Sequence, residues 1–115
     1  MIGDELFEVT ITGNVSTKSS SHFKEWNSTV EESISSLSSN SLIGKQLAIS
    51  VKFWLCDKRL TTGRNDCDNL VKPLLDALKR MGKIADDDIV FQLHIAKYPT
   101  QGPERTEIIC NEWLA

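Results

Sequence analysis

RNDCDNLVKPLLDALKRMGKIADDD, residues 64–88, sets a basic amphipathic stretch between two acidic clusters, Asp66 and Asp68 before it and Asp86, Asp87 and Asp88 after it. Leu70, Val71, Leu74, Leu75, Leu78 and Met81 recur at helical spacing, while Lys72, Asp76, Lys79, Arg80 and Lys83 populate the polar side. This pattern predicts a helix. Pro73 would cost about 3 kcal/mol in a helix interior, so the helix is expected to begin near Asn69, where first-turn amides have no intrahelical acceptor. Gly82 suits its end.

The flanking runs read as strands. QLAISVKFWLC (46–56) alternates Leu47, Ile49, Val51, Phe53 and Leu55 on one face and is largely apolar on the other, as a central strand should be. After the helix, DIVFQLHIAKYP (88–99) alternates Ile89, Phe91, Leu93 and Ile95; TQGPER is a turn; and TEIICNEWL (106–114) alternates again. The last two runs are expected to form an antiparallel hairpin. Towards the N-terminus, LFEVTITG (6–13) has strand period, NVSTKSSS (14–21) is a polar loop with Ser21 as the expected helix cap, and Phe23, Trp26, Val30, Ile34 and Leu37 form one helical stripe. SSLSSNSLIG (35–44) reads as a surface loop. The whole predicts a single domain over residues 1–115 of the α+β class: one mixed four-stranded sheet with two helices, in the order β-α-β-α-β-β.

Composition excludes several classes. With 40% apolar and 25% charged residues in 115, the chain has the make-up of a globular domain. No apolar run approaches the roughly 18 residues of a membrane span, and MIGDELFEVT lacks the pattern of a signal peptide, so no membrane partner and a cytoplasmic location are expected. Cys56, Cys67 and Cys110 form no C-x-x-C pair and are expected as reduced thiols. His22 and His94 have no partner at metal-ligand spacing. Trp26 and Trp113 read as core residues rather than dimer contacts. Net charge is −3, but residues 52–83 carry +4 while the segments on either side are acidic. A locally positive surface can still gather polyanions.

Asp66 and Asp68 are spaced i, i+2. In extended chain their carboxylates point to one side and repel unless one is protonated or a cation lies between them. Hard ions such as Mg²⁺ prefer carboxylate oxygen and water, so the want of His and Cys partners does not count against such a site. A dozen helical residues and a tight turn are expected to return the acidic run 86–88 to the pair, with Lys72 one turn from Asp68 and able to face the same place. From spacing alone, Asp ahead of a helix is usually a cap and an acidic triplet before a strand is usually solvated.

From Asp66 to Asp87, the pattern D-x-D-N-L-x-K-P-L-L-D-A-L-x-x-x-G-x-I-x-D-D resembles the signature of the RusA-type Holliday-junction resolvases, endodeoxyribonucleases that cut four-way DNA junctions. FEVTITGNVSTK, HFKEWNSTVEESI and IAKYP are more weakly similar to the family's first strand and loop, first helix and third strand. The resemblance implies metal-binding aspartates at Asp66, Asp68 and Asp87, an essential lysine at Lys72, Mg²⁺ as cofactor with Mn²⁺ able to stand in, a homodimer, and branched DNA as partner in recombination and repair. It further implies cleavage that leaves 5′-phosphates. Lys18, Arg64, Asn69, Lys79 and Lys83 are the candidate DNA contacts, Lys79 and Lys83 as part of a modest basic landing surface. Asp88 is extra and leaves a one-residue ambiguity at the third ligand. Family members commonly carry prolines where this chain has Thr12 and Val15, and tend to be basic where this one has a pI of 5.3. The competing expectations are a nuclease for other branched DNA and a catalytically inactive DNA-binding homologue.

Overall fold

The computed structural model describes residues 1–37, 42, 44–62 and 65–115. Strand β1 (Ile2–Thr12) leads through a loop to helix α1 (Phe23–Ile34); β2 (Leu47–Cys56) is followed by a single 3₁₀ turn (Asp57–Arg59) and helix α2 (Cys67–Arg80); a second 3₁₀ turn (Asp87–Ile89) opens β3 (Val90–Thr100), and β4 (Arg105–Trp113) ends the fold. The element order and the mixed four-stranded sheet are those the residue periods predict. Half of the serine-rich segment 35–44 lies outside the described residues.

One core joins the sheet to both helices among the described residues. Leu47, Ile49, Val51, Phe53 and Leu55 of β2 are at most 2% exposed and cluster with Trp26, Val30 and Ile34 of α1 and with Leu70, Val71, Leu74, Ala77 and Leu78 of α2. Ile11 of β1, Ile108 and Cys110 of β4, and Val15, Leu42 and Ile84 from the connections also belong to it. On the alternate positions of the sheet, Trp54 stacks on Tyr98 with ring centroids 4.7 Å apart, lies under the Arg105 guanidinium, and donates to Glu107.

The expected hairpin of the last two strands does not form. The sheet order is β1-β4-β2-β3, with β3 parallel to β2 and β4 antiparallel to both β1 and β2. Helix α2 is therefore a crossover between parallel neighbours, and β3 becomes an edge strand on which Phe91, Gln92, Leu93 and His94 are exposed. The four residues between β3 and β4 can reach up to about 13 Å, enough to step across β2 over two strand spacings of about 4.8 Å.

Glu104 makes that step possible. It is 4% exposed, accepts from the Cys56 amide at the end of β2 (2.9 Å) and the Val15 amide (3.2 Å), and pairs with Arg59, whose guanidinium also donates to the Val15 carbonyl. The Glu104 carbonyl accepts from Gly13 (3.1 Å). One carboxylate thus ties the end of β1, the end of β2 and the β3–β4 connection together. A buried charge is tolerated because each oxygen has partners.

Local details differ from expectation at the helix starts. Ser21 does not cap α1: His22 holds the cap position without a side-chain bond, and the Ser20 hydroxyl accepts from the His22 amide (3.1 Å). Helix α2 starts at Cys67 rather than near Asn69, which leaves Pro73 in the interior, buried among the core side chains. Burial of its ring offsets part of the cost of the missing amide. The end of α2 is as expected: Gly82 takes φ 71°, and the Gly82 and Lys83 amides donate to the Lys79 and Leu78 carbonyls at 3.1 and 2.9 Å, the Schellman arrangement.

Candidate functional site

The N-terminal end of α2 gathers most of the expected residues. Asp66 is the cap residue, extended at φ −77°, ψ 156°, exposed, and without a bond from its side chain to the helix amides. Its Oδ1 accepts instead from the Asn69 side chain at 2.8 Å. Asp68 is exposed in the first helical turn, where the helix dipole favours negative charge. Neither carboxylate is neutralised by an ion pair among the described residues.

Beside them, Thr17, Lys18 and Ser19 of the β1–α1 loop meet Asn69 and Lys72 of α2 around a recess of ≈ 240 Å³. Lys18 is held there by an ion pair with Asp76, one turn beyond Lys72. The Thr17 and Ser19 hydroxyls lie 3.2 Å apart. The recess is lined by residues that can bind an oxyanion such as a phosphodiester, with Lys72 beside a Lys18 that is paired to Asp76. Of the expected DNA contacts, Lys18 and Asn69 are brought to Lys72. Arg64 lies outside the described residues.

The second acidic cluster is at the other end of the helix. Asp86 and Asp87 lie 3.8 and 4.0 Å from Lys79, in the last turn of α2. Hydrogen bonds with the Asp87 side chain and then its amide (2.7 Å) hold the Asp86 carboxyl below the usual carboxylate range, with Lys79 adding to the effect. Asp88 is exposed. Eleven residues separate Asp68 from Lys79, a rise of about 16 Å. The expected return of the acidic run to the aspartate pair does not occur within the chain, because a helix joining two parallel strands must run from one end of the sheet to the other. Among the described residues no group of three or more His, Cys, Asp or Glu side chains could hold a metal ion.

Two exposed carboxylates still fit a hard cation, since Mg²⁺ is commonly held by one or two carboxylates, with water and a substrate phosphate filling the remaining positions. The Cys110 thiol does not compete. Cys110 is buried and its pKa pushed up to about 12 by desolvation.

The sequence model of the family Endodeoxyribonuclease RusA matches residues 7–110, from the middle of β1 to β4 and across both ends of α2. The chain belongs to the RusA endodeoxyribonuclease family. No curated protein sequence matches it. RusA membership makes the chain a nuclease of the Holliday-junction resolvase kind, a phosphodiester hydrolase that acts on DNA. None of the described helices is long and apolar enough to cross a membrane.

Several residues around the RusA site were not singled out by sequence reasoning. Arg59 and Glu104 both fall outside the apolar periods, and nothing in their spacing marks them as an ion pair around a buried carboxylate. Lys97 did carry a signal, because it continues the apolar alternation of Leu93 and Ile95 with a cation. Its ammonium donates to the Leu60 and Asn65 carbonyls at 2.5 and 3.0 Å. Lys83, an expected DNA contact, donates to the Leu37 and Ser35 carbonyls at 2.6 and 3.3 Å beyond the end of α1.

Proposed function

We propose that the chain resolves Holliday junctions in the cytoplasm during recombination and repair, cutting four-way DNA symmetrically as a metal-dependent homodimer. The observation that carries this reading is the exposed Asp66 and Asp68 pair beside the Lys18–Lys72 recess, in a chain of the RusA family. Asp66 and Asp68 are the proposed holders of Mg²⁺, or of Mn²⁺ in its place. Bound there, the ion would activate a water for in-line attack on phosphorus and neutralise charge on the departing 3′ oxygen. The protein's own part is positional and electrostatic. Lys72 and Lys18 draw the scissile phosphate to the recess, the Thr17 and Ser19 hydroxyls and the Asn69 amide can hydrogen-bond its oxygens, and Asn69 orients Asp66 through Oδ1.

Asp87 enters this reading from a second copy. It lies about 16 Å along α2 from Asp68, whereas two oxygens on one Mg²⁺ are at most about 4 Å apart. A two-fold dimer that sets the C-terminal end of one α2 against the N-terminal end of the other would supply the third carboxylate twice, once for each strand to be cut. Lys79, now paired with Asp86 and Asp87, would border that junction of subunits.

Cleavage of synthetic four-way, three-way and linear duplex DNA in Mg²⁺, with Asp68→Asn alongside the wild type, tests the proposal. Paired symmetric nicks with 5′-phosphates in the four-way junction are expected, with Asp68→Asn cutting at least about a hundredfold more slowly while still binding the junction. Equal rates on linear duplex would overturn the junction assignment. Unchanged cleavage by Asp68→Asn would overturn the site.

A further inference from the structure

Lys97 stands on β3 directly across from Phe53 of β2, in register with a strand whose neighbouring positions Ile49 and Val51 lie opposite Leu93 and Ile95. Another aliphatic residue would continue that row. A half-buried cation there loses part of its hydration, which oxygen partners can replace. Among the described residues Lys97 has no carboxylate partner; its two hydrogen bonds go to main-chain carbonyls, Leu60 at 2.5 Å and Asn65 at 3.0 Å. These carbonyls lie at the two ends of the segment that leaves the 3₁₀ turn and enters α2. Asn65 is the residue before Asp66, and its side chain donates to the Arg59 carbonyl at 3.0 Å.

The backbone leading into Asp66 is therefore held from two sides. The Asn65 side chain fastens it to the turn that Arg59 anchors on buried Glu104, and Lys97 fastens its carbonyl to the sheet. Asp66 is itself exposed and extended, with no side-chain bond to the helix amides. Its direction is set by the peptide before it, by the helix after it, and by Asn69.

We infer that Lys97 is a positioning residue for the nuclease centre: by clasping the Leu60 and Asn65 carbonyls it fixes the orientation in which Asp66 meets the metal ion. The inference rests on the proposal that Asp66 and Asp68 hold that ion. Groups that hold a ligand in place from behind typically alter metal affinity or activity by about tenfold to a hundredfold when removed. Lys97→Met keeps the length and apolar stem while removing the donors. Lys97→Arg restores charge and several N–H groups on a side chain of similar reach.

The test uses the full-length protein in three forms: wild type, Lys97→Met and Lys97→Arg. Mn²⁺ is titrated and the free ion followed by its paramagnetic resonance; junction cleavage is measured across the same concentrations, and backbone order is measured by ¹⁵N relaxation without metal. For Lys97→Met, the half-saturating Mn²⁺ concentration is expected to rise by about ten- to a hundredfold, with cleavage largely recovered at saturating metal and junction binding unchanged. Order parameters at Asn65 and Asp66 are expected to fall from about 0.85 towards 0.6, with those of α2 beyond Leu70 unchanged, and Lys97→Arg should restore most of both effects. A Lys97→Met protein that matches wild type in Mn²⁺ half-saturation overturns the inference. So does a loss that persists at saturating Mn²⁺ with uniformly lowered order, which is the mark of general unfolding. A wild type that binds no Mn²⁺ while its order parameters still depend on Lys97 overturns the metal reading rather than the clasp.

Discussion

Mixing two inactive variants can decide where the third carboxylate comes from. Asp68→Asn removes a carboxylate at the head of α2 and Asp87→Asn one beyond its tail, sites separated by a helical rise of about 16 Å. If each centre takes Asp66 and Asp68 from one subunit and Asp87 from the other, a heterodimer of the two variants has one intact centre and one that lacks both groups. If each centre is built within one chain, both centres of that heterodimer are crippled. Unfolding and refolding an equal mixture gives about half heterodimers, each with one of two centres intact, so the mixture should regain about a quarter of the wild-type centres. A supercoiled plasmid extruding a cruciform reads the result directly. Wild type cuts both strands and linearises it, whereas the heterodimer nicks one strand and leaves an open circle. Recovery of nicking to about a quarter of the wild-type initial rate, without linear product, is the expected outcome. A mixture no more active than either variant alone would refute the shared centre.

Two further perturbations separate structural cations from DNA contacts. Arg59→Met leaves the 4% exposed Glu104 carboxylate with two backbone amides and no countercharge; because Arg59 is itself about a third exposed, the loss should fall near the low end for a broken buried pair, about 3 kcal/mol. Urea unfolding should show it, and with an unfolding entropy of about 2.1 cal/mol/K per residue the melting point should fall by about 12 °C. Lys83→Met removes the ammonium that donates to the Leu37 and Ser35 carbonyls, at a cost of about 1 kcal/mol in stability, and should leave junction affinity within twofold. A tenfold loss of affinity would instead make Lys83 a DNA contact.

The elements were legible because each buries one face. The five odd-numbered positions of β2 and the stripes of α1 and α2 repeat at the periods their structures demand, and all converge on one core. Sheet order was not legible from the same signal. A four-residue connection with Gly102 and Pro103 between two alternating runs has the local chemistry of a hairpin, and only Glu104 distinguishes it from one. That carboxylate finds its amides in Val15 and Cys56, 89 and 48 residues away. Alternation reports which residues share a face, and it is silent on which strand lies alongside.

Asp66, Asp68 and Lys72 were readable because local chain geometry suffices to bring them near one another, an extended residue followed by the first turns of a helix; Lys18 came from the resemblance alone, since its tie to Asp76 spans 58 residues. Asp87 was misplaced by the same local logic. Counting residues along a helix tells how far the chain has travelled, whereas the end of the sheet at which it arrives depends on whether the next strand is parallel to the last. Here it is parallel, so the two acidic clusters that the sequence sets 18 residues apart, from Asp68 to Asp86, stand at opposite poles of α2. Like charges at one pole gain nothing from those at the other, since about 16 Å of helix exceeds the screening length of about 8 Å at physiological salt. A pattern that demands both clusters therefore makes physical sense when two helices lie antiparallel across a two-fold axis, each head beside the other's tail. That arrangement also sets a pair of centres in fixed relation, which two symmetric cuts in one junction require.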